Sequence, residues 1–131
     1  AYEIWSWLEF RRVLFRSNIA LSCVKREVLR MGQIVELMVY PVMDLYQNFD
    51  KNRMEKVRKM DHEVNSAFSD IRRYVAELQR GDLTEEEAKN ARELTEFSIN
   101  LENAGDIVAK RLLVLAESKS VNNMEFSSQG L

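Results

Sequence analysis

Cysteine, proline, histidine and glycine are all scarce in this chain of 131 residues, which has one Cys, one Pro, one His and four Gly. With Cys23 alone no disulfide can close within the chain. A lone thiol fits a reducing compartment and serves packing more often than nucleophilic chemistry. One proline and few glycines leave little to interrupt long helices. The apolar and charged fractions, 46% and 31%, are those of ordinary globular proteins. His62 lacks the partners that zinc or acid-base chemistry would want, no Ser or Cys stands with a positioned base, and there is no Gly-rich phosphate loop. The chain therefore does not read as an enzyme. Long hydrophobic runs are absent too. The longest near the middle, between Glu36 and Asp44, falls far short of the roughly 18 residues a membrane span needs. The slightly acidic balance, a net charge of -2, argues against nucleic acid as a partner.

Ala1 to Ser17 does not read like the rest. Leu8 to Ser17 resembles one reading frame of a sequencing-library adapter, and Ala1-Tyr2-Glu3-Ile4 fits the adapter's outer end. The segment is set aside from fold reasoning as a fusion scar would be, which makes Asn18 an expected truncation point. The alternative is an authentic amphipathic or membrane-surface helix with Trp5, Trp7, Leu8, Leu14 and Phe15 on its apolar side. Arg11, Arg12 and Arg16 stand there against Glu3 and Glu9, so the remainder is one unit more acidic than the whole.

From Asn18 onward apolar residues recur in alternating steps of four and three, the seam of a helix packed in a bundle. Val24, Val28, Met31, Val35, Met38, Val42, Leu45 and Phe49 predict a first helix over 18–48. Pro41 should kink it near Leu37 rather than break it. Asn48-Phe49-Asp50-Lys51-Asn52 marks a turn whose Asp50 or Asn52 can cap a second helix over 52–80. The second seam is Met54, Val57, Asp61, Val64, Phe68, Ile71, Val75 and Leu78. Asp61 is its discordant member, because a carboxylate at a core position is costly unless paired or coordinated. Gly81 then predicts a glycine C-cap, and Thr84-Glu85-Glu86-Glu87 a capping box opening a third helix over 84–118. Its seam is Ala91, Leu94, Ser98, Leu101, Gly105, Val108, Leu112 and Leu115. Beyond Ser118 the sequence has no period, and 119–131 is expected to be a flexible tail. Short connections make long neighbouring helices antiparallel, so the expected fold is all-α, an up-down-up three-helix bundle over 18–118.

On the flank of the third seam, Glu102 and Asp106 stand one turn apart on one face and repel each other. Gly105 beside them sits in mid-helix at a cost of about 1 kcal/mol relative to Ala. Two local penalties within one turn point to a site. Reflecting Asp61 about the turn at Asp82 brings it level with Glu102 and Asp106, and reflecting it about Asp50 adds Glu36 and Tyr40. Asp61, Glu102 and Asp106, with Glu36 as a helper, make an oxygen-rich set suited to a divalent cation such as Mg²⁺, Mn²⁺ or Ca²⁺, or to iron. The alternative is an ion-pair network in which Lys110 pairs with Asp106, and Arg111 or Arg30 neutralises the rest.

The same residues carry a family resemblance. Leu101-Glu102-Asn103-Ala104-Gly105-Asp106 resembles the Leu-Glu-Arg-Ile-Gly-Asp signature of PhoU-like domains, the helical regulators of phosphate transport. Asp61-His62-Glu63-Val64-Asn65 is similar to that family's Asp-x-Glu-Val-Asn/Asp motif. Lys25-Arg26-Glu27-Val28-Leu29-Arg30-Met31-Gly32 resembles the first helix of the PhoU-like domain that ends many bacterial sodium/phosphate cotransporters. The likeness runs from about Asn18 to about Ser118. Some PhoU-like proteins bind metal clusters through Glu-x-x-x-Asp and Asp-x-x-x-Asp pairs, and of those ligands Asp61, Glu102 and Asp106 carry over. Asn103 replaces the signature arginine and Asn65 a second carboxylate. The resemblance implies a cytoplasmic regulatory domain at the inner face of the membrane, a fragment of a sodium-dependent phosphate cotransporter. Its partner would be the transmembrane portion, a second repeat or a second copy. A free-standing PhoU-like regulator and a purely structural or oligomerising bundle are the other readings.

Overall fold

The computed structural model describes the backbone of residues 2–129 and the side-chain surroundings of residues 19–122. Three helical rods make up the fold. The first is α1, Tyr2–Gln47, and the second is α2, Lys51–Gln79. The third is a composite of α3 (Glu85–Asp106), a π-helical segment (Ile107–Leu112) and α4 (Leu113–Gln129). α1 packs along α2 and against every part of the third rod, while α2 also meets α3 and the π segment. The all-α three-helix bundle expected from the periodicity is the fold, with no strand among the described residues.

The core forms where the three seams meet. Val24, Met31, Met38 and Val42 of α1 and Val57, Val64, Ala67 and Ile71 of α2 are wholly out of water. Each large apolar side chain so buried contributes about 1.5–3 kcal/mol. The facing positions of α3 are small, Ala91, Ser98 and Gly105, which leaves room for the long methionines of α1. Ser98 is satisfied locally, since its hydroxyl donates to the Thr95 carbonyl at 2.7 Å. Every ion pair among the described residues is local to one rod, at spacing i,i+3 or i,i+4.

The helix starts follow their caps. Asp50 accepts a hydrogen bond from the Asn52 amide at 2.9 Å, and Thr84 Oγ1 accepts one from the Glu87 amide at 3.1 Å. Pro41 lies inside an unbroken α1. The end of α2 differs from expectation: Gly81 does not adopt positive φ, and Arg80 closes the helix in a right-handed conformation. Arg80 and Gly81 donate to the carbonyls of Glu77 and Leu78, tightening the last turn in place of a left-handed cap.

Two helix bounds also differ. The backbone is helical from Tyr2 and on to Gln129, past the limits expected near 18 and 118, because neither extension holds a glycine or proline to stop it. Whether residues 1–17 are foreign turns on side chains such as Trp5 and Trp7, which lie outside the described residues. The largest correction concerns the third seam. Leu113 and Ala116 are each 1% exposed, whereas Leu115, expected inside, is 57% exposed and Leu112 only partly buried. The seam steps by seven from Ala91 to Ser98 to Gly105, then by eight to Leu113. The wider π turn absorbs the extra residue. In α2, Ala67 takes the fully buried place expected of Phe68, which packs at the margin. No helix of the described residues is long and apolar enough to cross a membrane.

Candidate functional site

All three rods converge at Gly105. A Cβ placed there would lie 3.5 Å from Val64 Cγ1 on α2, 3.6 Å from Asp61 Oδ1 on α2 and 3.6 Å from Val35 Cγ2 on α1. The glycine thus brings the backbone of α3 against a buried carboxylate. Asp61 is 8% exposed, and its Oδ1 has no hydrogen-bond partner. Burial raises its pKa above the ordinary Asp value and the charge of Asp106 raises it further, while Lys110 and His62 pull it down.

Asp106 supplies the second carboxylate. The Lys110 ammonium lies 3.1 Å from its Oδ1, close enough to raise the lysine pKa, first through hydrogen bonding to Asp106 and then through Coulomb attraction. The Lys110 side chain is 68% exposed, so water shares the pair and screens it. Asp106 therefore has a charged partner that solvent also reaches.

Of the residues expected at the site, Asp61 and Asp106 come together. Glu102 sits one turn further back on α3, partly buried, and its charge is felt at Lys110. No three acidic, His or Cys side chains among the described residues gather closely enough to hold a metal ion, so the trio Asp61, Glu102 and Asp106 does not form a three-ligand sphere. The reason is axial: Asp61 is level with Gly105, nearer to Asp106 than to the preceding turn. Glu36 is exposed, since Val35 occupies the α1 position at this level. Arg30 is engaged with Glu27 at 2.9 Å and does not neutralise the acids; Lys110 does. The π segment that begins immediately after Asp106 has no counterpart in the regular seam read from the sequence. Its trace in the sequence is the doubled pair Leu112-Leu113 and Leu115-Ala116, which offers two overlapping seams.

Asp61 Oδ1, which has no donor, and Asp106 Oδ1, whose charged partner is the exposed Lys110, are acceptor-only groups of the kind a hard divalent cation takes, with water filling the rest of its shell. The donor set fits one such ion and not a metal that seeks thiol or imidazole. Asp106 also lines an open depression of about 420 Å³ with Asn103, Ile107, Lys110 and Arg111, so Asp106 is reachable from solvent on that side.

A family model described as the PhoU domain matches residues 28–111. Among curated proteins, YjbB of Escherichia coli, which its name describes as a candidate inorganic phosphate export protein, is 31% identical over 114 residues, 87% of this chain. The Salmonella typhimurium protein of the same name is 32% identical over 115 residues. The chain spans 21% of the length of each of these relatives. No solved structure matches it. The matched stretch contains Asp61, Glu102, Gly105, Asp106 and Lys110 together with most of the bundle that positions them, and by that match the chain belongs to the PhoU domain family.

Proposed function

We propose that this chain is a cytoplasmic regulatory domain of a phosphate-transport system, joined in its parent to a sodium-dependent phosphate cotransporter at the inner face of the membrane. The observation that carries this reading is the PhoU match across the whole site, together with relatives several times longer whose name refers to phosphate export. That length favours a domain attached to a transporter over a free-standing regulator. A helical bundle without a catalytic constellation acts by binding something and biasing a partner's conformational equilibrium. Leu29, Leu37, Tyr40 and Met43, all more than half exposed, follow helical spacing on the outer face of α1. That face suits the transmembrane portion, a second repeat or a second copy. The test is sodium-driven phosphate movement in the intact parent with and without this domain. Unchanged kinetics and phosphate response would leave a purely structural bundle.

The site's part in this reading is to hold one divalent cation, or iron, between Asp61 and Asp106, with Glu102 assisting from the next turn. The partnerless Asp61 Oδ1, with the charge of Asp106 felt beside it, supports it. Mn²⁺ or Mg²⁺ should raise the melting temperature, because a ligand that binds the folded state alone stabilises it in proportion to the logarithm of its concentration over Kd. Asp106→Asn should abolish the rise. A melting curve that neither ion moves would leave the acids as a structural ion-pair group.

A further inference from the structure

The third rod changes its winding directly after Asp106, where Ile107–Leu112 is π-helical between two α-helical stretches. A π turn amounts to one inserted residue, and such turns are rare. Two contacts from the end of α1 bear on this one. The Tyr46 hydroxyl donates to the carbonyl of Leu112, the last π residue, at 3.0 Å. The Lys119 ammonium donates to the Tyr46 carbonyl at 3.0 Å and lies 5.8 Å from the centre of the Tyr46 ring.

The sequence beyond Asp106 supports two seams. Wound as it stands, the rod buries Leu113 and Ala116 and leaves Val114 and Leu115 more than half exposed. Wound as uninterrupted α-helix, the ladder of Ala91, Ser98 and Gly105 would continue to Leu112, and that of Leu94, Leu101 and Val108 to Leu115. Both seams are apolar as far as Ala116; beyond it the α-wound seam meets Lys119, seven residues after Leu112 and exposed here beside Tyr46 at the end of α1. The two registers differ by one residue, a turn of α4 of about 100° about its axis.

We propose that Ile107–Leu112 is a one-residue register switch. α4 exchanges between the π-wound register, latched by Tyr46 and Lys119, and an α-wound register that draws Leu115 into the core and turns Ala116 outward. Its position next to Asp106 makes it the element through which a change at the acid pair reaches α4. Such an exchange needs only the winding and the two seams, and no role in transport.

Thiol labelling of the full chain in a Cys23→Ser background tests it. In separate proteins carrying Leu115→Cys or Ala116→Cys, the first should react quickly and the second slowly. Tyr46→Phe, which removes only the latch hydroxyl, should lower the ratio of the two rates by about fivefold or more, the effect of one lost hydrogen bond. Lys119→Gln should move it the same way, and circular dichroism checks that each variant is folded. Deleting Arg111 takes out the inserted residue, so α winding then keeps Leu113 and Ala116 inside. In that background the ratio should stay high with or without Tyr46→Phe. A ratio that both latch substitutions leave unchanged in folded protein overturns the proposal, as does equal sensitivity to Tyr46→Phe in the Arg111 deletion.

Discussion

Asp61 is held in the core at a loss, and the loss has a sign. Its pKa in the folded chain is raised, by burial first and by Asp106 second. The stability linked to its protonated form is therefore fully present below the unfolded pKa and disappears as pH rises through the folded value, the reverse of a salt-bridged carboxylate. Asp61→Asn should raise the melting temperature at pH 7 by a few degrees. It should also flatten the decline in stability between the ordinary Asp range, about pH 4, and neutrality, as followed by thermal melts across that window. Gly105 poses the complementary case. A methyl there would meet its neighbours at ordinary contact distances, so Gly105→Ala should stabilise by roughly 0.5–1 kcal/mol through helix propensity. The same methyl would lie against Asp61 Oδ1 and should reduce any Mn²⁺-induced shift in melting, which sets stability and ligand response in opposition at one atom. Asp61 betrayed itself in the sequence as the one charge in an apolar ladder, and reflection across the turn placed it level with Asp106. Reflection fixes level only to about one turn, which is why Glu102 groups with the other two.

At the scale of the element, start signals carried more information than stop signals. Asp50 and Thr84 cap as their types and positions require, because the geometry of a first turn is set within three residues. Thr84→Ala should destabilise by about 1 kcal/mol, lowering the midpoint in a denaturant titration without changing its slope. α3, which carries Glu102 and Asp106, begins at that cap. Ends were harder, since Gly81 has the composition of a C-cap without the conformation, and no glycine or proline marks Ser118 as a boundary. The seam of the third rod was legible up to Gly105 and lost after it. Counting in steps of three and four assumes an unchanging helix, and one inserted residue exchanges Leu115 for Ala116. Glu36 was drawn to the site by level alone. Helical phase turns it outward, because Ile34 and Met38 on either side of it are the buried positions.

Across the whole molecule, the rods present apolar surface that the bundle does not use. Leu29 is 69% and Leu37 56% exposed on one face of α1. If a second copy covers that face, Leu29→Glu with Leu37→Glu should lower the sedimentation coefficient while leaving helix content unchanged. A chain that is monomeric both before and after would direct attention to the membrane portion of the parent instead. Fold class and rod order were legible because they rest on repeated, redundant patterning, whereas the partner rests on a surface that any apolar counterpart could cover.

The ion pairs among the described residues, each confined to a single rod, bear on how the rods hold together. None of those contacts ties one rod to another. The side-chain hydrogen bonds that do so among the described residues, Tyr46 to Leu112 and Lys119 to Tyr46, lie at one end of the bundle. Ionic strength should therefore weaken the individual helices slightly and leave their docking almost untouched. Among the described residues, side-chain hydrogen bonds join α1 to the third rod at that end, while toward the turn between α2 and α3 the rods meet through apolar contact. Amide exchange should begin at that turn and advance toward Gly105, so the acid pair lies between a half that opens by fraying from the turn and a half whose motion is the register exchange of α4.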